Sequence, residues 1–336
     1  MLKLAIVILN WNGERYLRQF LPTLLRNIPD YAEVIIADNA SSDGSLAFLR
    51  EEYPQIRVIV HPQNGGFSKG YNDAFQQIEA EYYCLLNSDI EVPEHWVEPV
   101  MELFESDDNI AAIQPKIIAY HDRTKFEYAG ASGGFIDKYG YPFCRGRVFD
   151  TLEEDHHQYD DAIPVFWATG AALFVRSAVY HQLGGLDEDF FAHMEEIDFC
   201  WRIKKAGYKL MIEPKSFVYH IGGGTLPKNN SHKTYLNFRN NLCLLLKNLP
   251  KRRLFITFAV RLVLDNVAAF SFLLKGNASD FTAVYKAHAA FLRMRKAMKG
   301  KRTGNEEGAF NDTWPASIVF LNYVGRKKHF DGHKFF

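Results

Sequence analysis

The chain has 336 residues, with 39 basic and 40 acidic side chains and 47% hydrophobic residues. That is ample for a large packed core and fits one α/β domain with an appendage, or two domains. Four cysteines, Cys84, Cys144, Cys200 and Cys243, form no CxxC pair and lie mostly in apolar runs, which argues against a disulfide frame or a zinc site and for the reduced core of a cytosolic protein.

The opening "MLKLAIVILNWNG" reads as a first strand, because its apolar stretch is short for a signal peptide and no small-residue cleavage site follows. Strand-like runs recur at Leu4 to Leu9, Val34 to Ala37, Ile56 to Val60 and Tyr82 to Leu86. Helix-like segments at Glu14 to Arg26, Ser45 to Tyr53 and Phe67 to Ile78 separate them. This βαβαβαβ rhythm predicts a mostly parallel sheet with right-handed crossovers. Tyr16, Leu17, Phe20, Leu21, Leu24 and Leu25 share one helical face, with Pro22 expected to kink or end the helix early. After Ile113 the rhythm stops, and residues 116–164, rich in Gly, Tyr, Asp and His, read as a hairpin-and-loop excursion able to gate or shape a site. "VFWATGAALFV" and "YKLMI" restore strand character around a helix near Glu196 to Ala206, and from Ser231 onward the chain is mainly helical, with no internal repeat.

Charge is unevenly spread: residues 247–302 hold 13 Lys or Arg against two acids, Asp265 and Asp280. No recognition-helix, RRM or zinc-finger pattern accompanies them, so an anionic membrane surface is a better partner than nucleic acid. Within this stretch, "LFITFAVRLVLDNVAAFSFLL" (254–274) is long enough to span a bilayer, but Thr257, Arg261 and Asp265 recur at i, i+4, i+8 as a polar stripe. With basic flanks, such a helix is expected to lie in a membrane interface or pack on a neighbour rather than span alone.

Chemistry concentrates where apolar strands end. In "VIIADNASSDGS" the strand Val34–Ala37 runs into Asp38, at the strand edge where open α/β sheets bind ligands; the alternative is that residues 38–45 only turn the chain and cap the next helix. "ILNWNG" at the exit of strand 1, "NGGFSKGYN" (64–72) and "LLNSDIEV" (85–92) complete a series of four patterns. Together they resemble the family 2 glycosyltransferases of the GT-A fold, in particular the bacterial rhamnosyltransferase-like branch, over about residues 4–250. The resemblance implies an α/β GT-A (nucleotide-diphospho-sugar transferase) fold with a mostly parallel central sheet and a C-terminal helical extension. The expected division is a catalytic domain at 1–250 and a basic, apolar extension at 251–336.

The same resemblance implies roles for single positions. Asp38 matches the aspartate that contacts the nucleotide base, Asn10 and Asn12 line its pocket, and Asn64, Gly65, Gly66 and Asn72 form the loop beside it. Asn64 and Asn72 could equally stabilise the turn. Asn87, Ser88 and Asp89 stand at the DxD motif, with Asn in place of the first Asp, so Asp89 is the expected ligand of Mg2+ or Mn2+; without the family it would be a cap or turn residue. In "FFAHMEEIDFCWR" the second acid of the pair, Glu196, holds the catalytic-base position, with Glu195 the alternative. Asp198 either touches the acceptor or pairs with Arg202 at i, i+4. His220 of "FVYHIGG" is expected near the metal and diphosphate. Gly170 and Ala171 floor the donor-sugar pocket, Trp167 stacks on sugar or sits in the core, and Arg239 of "NFRNN" holds diphosphate.

The expected activity is inverting, metal-dependent transfer of a hexosyl or deoxyhexosyl group from a UDP-, dTDP- or GDP-sugar to a hydroxyl on a polyprenyl-linked or polysaccharide acceptor, in the cytoplasm at the inner face of the cell membrane. A dinucleotide oxidoreductase would want GxGxxG where "NWNG" stands. A processive membrane synthase would want QxxRW and several spans. A non-catalytic sugar-nucleotide-binding protein is the remaining alternative.

Overall fold

Consecutive β-branched and apolar residues need cover on both faces, and the first half of the chain supplies it by alternating strand and helix. In the computed structural model, which describes residues 2–222, 230–303 and 306–330, β1 (Leu2–Asn10), α1 (Glu14–Arg26), β2 (Ala32–Asp38), α2 (Ser45–Glu52), β3 (Arg57–Val60), α3 (Gly66–Phe75) and β4 (Ala80–Leu86) follow in turn. Their strands lie parallel in the order β3-β2-β1-β4. Leu4 to Val7 and Ile35 to Ala37 are fully buried. The register pairs Asn10 with Asp38, so the polar exits of β1 and β2 meet at one edge.

The chain then leaves this rhythm. β5 (Ile90–Glu91), α4 (Glu98–Ser106) and the ten-residue β6 (Ile110–Ala119) come next. The strand at Ile113 therefore continues where periodicity had suggested it stopped, because all of its residues but Ala119 are buried and no face alternates. The excursion holds a small antiparallel sheet of β7 (Gly134–Ile136), β8 (Pro142–Cys144), β9 (Arg147–Val148) and β10 (Thr151–Leu152). β11 (Ile163–Pro164), β12 (Ala172–Arg176), α5 (Ser177–Gln182), a 3-10 turn (Glu188–Phe190), α6 (Glu195–Lys205) and β13 (Lys209–His220) return to the main sheet. Its order is β11-β13-β6-β12-β4-β1-β2-β3, with β5 on β13. β12 runs antiparallel to both β4 and β6, and only its first four residues, Ala172 to Val175, in "VFWATGAALFV" are central strand.

Helices α7 (Ser231–Asn248), α8 (Lys251–Leu274), α9 (Ala278–Gly300), α10 (Glu306–Asn311) and α11 (Ile318–Tyr323) complete the described chain, with α7 packed along α9. Two local expectations change. Pro22 lies inside an unbroken α1: Leu17, Phe20, Leu21 and Leu24 are buried on both sides of it, and their packing carries the helix across the missing N–H. The stripe Thr257, Arg261, Asp265 is the buried face of α8, so the helix turns its polar side to the protein and leaves apolar side chains outside.

Candidate active site

The carboxyl ends of β1, β2 and β4 and the far end of β13 frame one polar region. At its first edge Asn10 donates from Nδ2 to Asp38 (3.0 Å) and to Ser41 Oγ (3.1 Å), while the Ser41 amide donates to the other Asp38 oxygen (2.9 Å). Asn12 Oδ1 accepts from the Ser42 amide at 2.7 Å. The two exit loops are thus one unit, and Asn10 Oδ1 is left buried without a partner. Asn39 extends the unit, donating to Asn64 Oδ1 (3.0 Å) and accepting from the Gly65 amide (3.2 Å). Gly66 takes φ +81, and a Cβ there would meet Phe191 at 2.5 Å. Only glycine lets α3 start this close to the segment before α6.

Asp89 and His220 form the second edge. Strand β5 pairs His220 with Ile90, which brings His220 Nε2 to 3.2 Å from Asp89 Oδ1 and the Asn87 amide nitrogen to 3.5 Å from the same ring atom. Glu127 accepts from the other ring nitrogen, Nδ1, at 3.0 Å, and its Oε2 is held by the Ala129 amide at 2.5 Å. Burial alone would lower His220, but the Asp89 and Glu127 charges push it up to about 10. Burial raises Asp89 while the His220 charge brings it below its ordinary value overall. A carboxylate oxygen and an imidazole nitrogen 3.2 Å apart match two adjacent positions on a small divalent cation, whose ligands at about 2.1 Å lie about 3 Å from one another.

Across the floor of the region lies the acidic pair. Asn87 donates its amide to Ala171 O at 2.9 Å. A Cβ at Gly170 would come within 2.9 Å of Phe67 and 3.7 Å of the Glu196 Cβ, so this small-residue segment separates the Asp89 edge from the start of α6. Glu195 and Glu196 both leave a buried Oε2 without a partner. Burial pushes both carboxyls up, and the charge of Glu196 adds to the rise at Glu195. The segment ahead of them is strained: Phe191, His193 and Met194 have φ of 65°, 69° and 72°, each a conformation that costs a non-glycine residue. Asn240 holds it, donating to the carbonyls of Phe190 (2.9 Å), Ala192 (2.8 Å) and His193 (2.7 Å).

Other expected site residues are engaged elsewhere. Asp38 is fully buried and accepts from Asn10 and from the Ser41 amide, so its carboxylate joins the two exit loops. Asn72 braces the chain ahead of the 3-10 turn, donating to Leu186 O (2.8 Å) and accepting from the Leu186 amide (3.0 Å). Trp167 is core, its Nε1 donating to Phe135 O. Arg239 donates to Phe190 O at 2.9 Å and so helps hold the strained segment. Asp198 is fully buried and accepts from Arg202 (2.8 Å), Lys247 (2.7 Å) and Asn248 (2.8 Å). Its contact to Arg202 is the expected i, i+4 pair, and its full burial sets it in the core. Burial pushes Asp198 up, but those cations pull it down to about 2. Sequence reasoning missed Asn39, Glu127 and Lys247, and marked Asn240 only as a neighbour of Arg239. Asn240 stood in the "NFRNN" run, whereas Glu127 was a lone acid in a glycine-rich excursion with no periodic neighbour to mark it.

Comparison with known proteins follows the same lines. The glycosyl transferase family 2 model matches residues 5–175. N-acetylglucosaminyl-diphospho-decaprenol L-rhamnosyltransferase of Mycobacterium tuberculosis is 24% identical over 235 residues, 65% of this chain and 75% of that protein. The low-salt glycan biosynthesis hexosyltransferase Agl10 of Haloferax volcanii is 24% identical over 243 residues, covering 70% and 73%. Among solved structures, GalNAc-T7 with UDP, GalNAc and Mn2+ superposes with a TM-score of 0.60 at 14% identity, over 97% of this chain but only 57% of that one. S. aureus TarS 1-349 in complex with UDP-GlcNAc gives 0.56 at 14% identity, over 89% and 84%. These structural likenesses show a shared fold.

Proposed function

The chain belongs to glycosyl transferase family 2 and is a glycosyltransferase; from that premise we propose a metal-assisted, inverting enzyme that moves a hexosyl or deoxyhexosyl group from a nucleoside diphosphate to a hydroxyl of a polyprenyl-linked or glycan acceptor. What carries the proposal is the opposition, across Gly170 and Ala171, of the Asp89–His220 pair and the unpartnered carboxylates of Glu195 and Glu196. The relatives support the class of substrate: one is a rhamnosyltransferase acting on a decaprenol-linked sugar, another a hexosyltransferase of glycan biosynthesis.

Mg2+ or Mn2+, held by Asp89 and His220, would supply positive charge to the leaving diphosphate. Glu127 acts as a positioning residue: by accepting from Nδ1–H it orients the ring, so that Nε2 would give up its proton to become a ligand when the cation binds. Asn10, Asn12, Asn64, Gly65, Asn87 and Ser88 form the nucleotide edge, with Asp38 and Asn39 joining its loops. Glu196 is the general base. Its burial-raised basicity suits proton removal from a sugar hydroxyl near neutral pH, and attack from that side, opposite the diphosphate, inverts the anomeric carbon. Glu195 lies beside the base, its carboxyl pushed up by burial and by the Glu196 charge. Asp198, Arg239 and Asn240 hold the base in place. Such a donor and acceptor meet at the inner face of the cell membrane, where we place the enzyme.

The test is to offer UDP-, dTDP- and GDP-sugars with Mn2+ and a short polyprenyl-diphosphate glycan, and read the product by NMR. The proposal expects nucleoside diphosphate release coupled to one product of inverted anomeric configuration. Tight donor binding with no transfer to any such acceptor would instead mark a sugar-nucleotide-binding protein.

A further inference from the structure

Helix α8 is the one helix among the described residues long and apolar enough to cross a membrane, and its packing shows why it need not. Arg261, in mid-helix, is buried with Asp265 (3.1 Å), stacks over the Tyr141 ring at 4.3 Å and donates to Asn241 Oδ1. Asp265 also meets His288 of α9 at 3.0 Å. Asn241 in turn donates to Gly140 O at 2.7 Å and approaches Met194 Sδ at 3.9 Å. The middle of the helix is therefore tied to the body of the protein by a buried ion pair, which holds its length of about 36 Å flat along the surface. Breaking such a pair to surround the helix with lipid would be costly.

The outward side has the opposite character. Phe255, Val263, Val267, Phe270 and Leu274 are 84%, 63%, 62%, 53% and 90% exposed, and the last four line an open apolar trough rather than scattered single positions. Its rim is basic. Lys251, Arg252 and Arg253 begin the helix, with Arg252 paired to Glu307 of α10; Lys275 follows its end, and Lys286, Arg293 and Lys296 are exposed on α9. Asp265 is neutralised in the core, which leaves Asp280 as the remaining acid of α8 and α9.

We propose that this face of α8 is a docking surface for an anionic lipid bilayer, with the helix lying in the interface and its basic ends on the lipid headgroups. An apolar face between cationic ends is the pattern that binds such surfaces by burial and charge together. The inference rests on the lipid-linked acceptor proposed above and deepens it. The same Asn241 that anchors Arg261 touches Met194, the residue before Glu195, so docking holds the acidic pair at a fixed attitude to the lipid.

The experiment is vesicle flotation of the full chain, without donor or acceptor, on phosphatidylglycerol–phosphatidylcholine and on pure phosphatidylcholine vesicles. Salt-sensitive flotation with the anionic vesicles is expected. Val263→Glu/Phe270→Glu should weaken it at least tenfold, and Lys251→Glu/Lys275→Glu should remove the preference for anionic lipid. All four side chains are exposed, and donor binding by calorimetry checks that each variant is folded. Flotation with neither vesicle, parental flotation by the apolar variant, or sedimentation as a dimer that Val263→Glu/Phe270→Glu dissolves would overturn the proposal. Since no step reads transfer, such a result would leave the glycosyltransfer chemistry standing.

Discussion

Replacing Glu196 by Gln removes one basic oxygen and keeps the size and the hydrogen-bonding capacity of the side chain. Burial lifts this carboxyl from an ordinary 4.5 to about 7, so between those values the native state holds a proton that the unfolded chain has lost. Its contribution to stability is full below about pH 4.5 and falls as pH rises through 7. A rise of that size corresponds to about 3 kcal/mol, and partial solvent access reduces it to about 2 kcal/mol. Gln does not ionise, so the variant should be the more stable protein at alkaline pH. With about 2 cal/mol/K of unfolding entropy per residue, the gain is about 3 °C in melting temperature at pH 8 and near zero at pH 4.5. Transfer should move the other way, falling by roughly two to four orders of magnitude with donor affinity nearly unchanged. The parent should show an acid limb in its pH–rate profile near neutrality, and the variant should lack it. Initial rates of nucleoside diphosphate release, calorimetric donor affinity and melting curves across pH test all of this on two proteins. Near-parental transfer, or a melting difference flat with pH, would refute the assignment. A larger loss in Glu195→Gln would move the base to its neighbour.

Other perturbations separate binding from scaffolding. Asp38→Ala leaves the Ser41 amide and Asn10 without their acceptor, and donor affinity should fall at least tenfold by calorimetry with Mn2+ affinity in the absence of nucleotide unchanged. Glu127→Gln should weaken Mn2+ binding by about 10- to 100-fold, with a change in the nitrogen-15 shifts of His220 that a merely structural role would not produce. Asn240→Ala frees three carbonyls of the strained segment and should cost about 1–3 kcal/mol in denaturant melts. Asp198→Ala strands Lys247 and Arg202 in the core and should cost about 3–5 kcal/mol.

The parallel half of the fold was legible because its signal is local. Runs such as Val34–Ala37 and the face Leu17–Leu24 each announce their element within a few residues, and the polar residues at the strand exits then fall together by geometry. What could not be read depends on partners far along the chain. Asp198 looked free to meet an acceptor until Lys247 joined Arg202 on one of its oxygens and Asn248, 50 residues on, took the other. Arg239 read as a diphosphate neighbour, and its Nη2 donates to the carbonyls of the 189–190 turn. A stripe at i, i+4, i+8 states that α8 has two sides but not which one is covered. Only Tyr141, Asn241 and His288 decide that. Pro22 failed as a breaker for the same reason, since tertiary packing of α1 outweighs one missing hydrogen bond.

Titration of the protein with Mn2+ and then with UDP, dTDP and GDP, beside the same titration of Asp89→Asn, tests the central claim most directly. One nucleoside diphosphate should bind the parent at least tenfold more tightly with Mn2+ than without it, and Asp89→Asn should abolish that metal dependence. Metal-independent binding by the parent, binding of none of the three, or an Asp89→Asn variant that keeps the full effect of Mn2+ would contradict a metal–diphosphate site at Asp89 and His220.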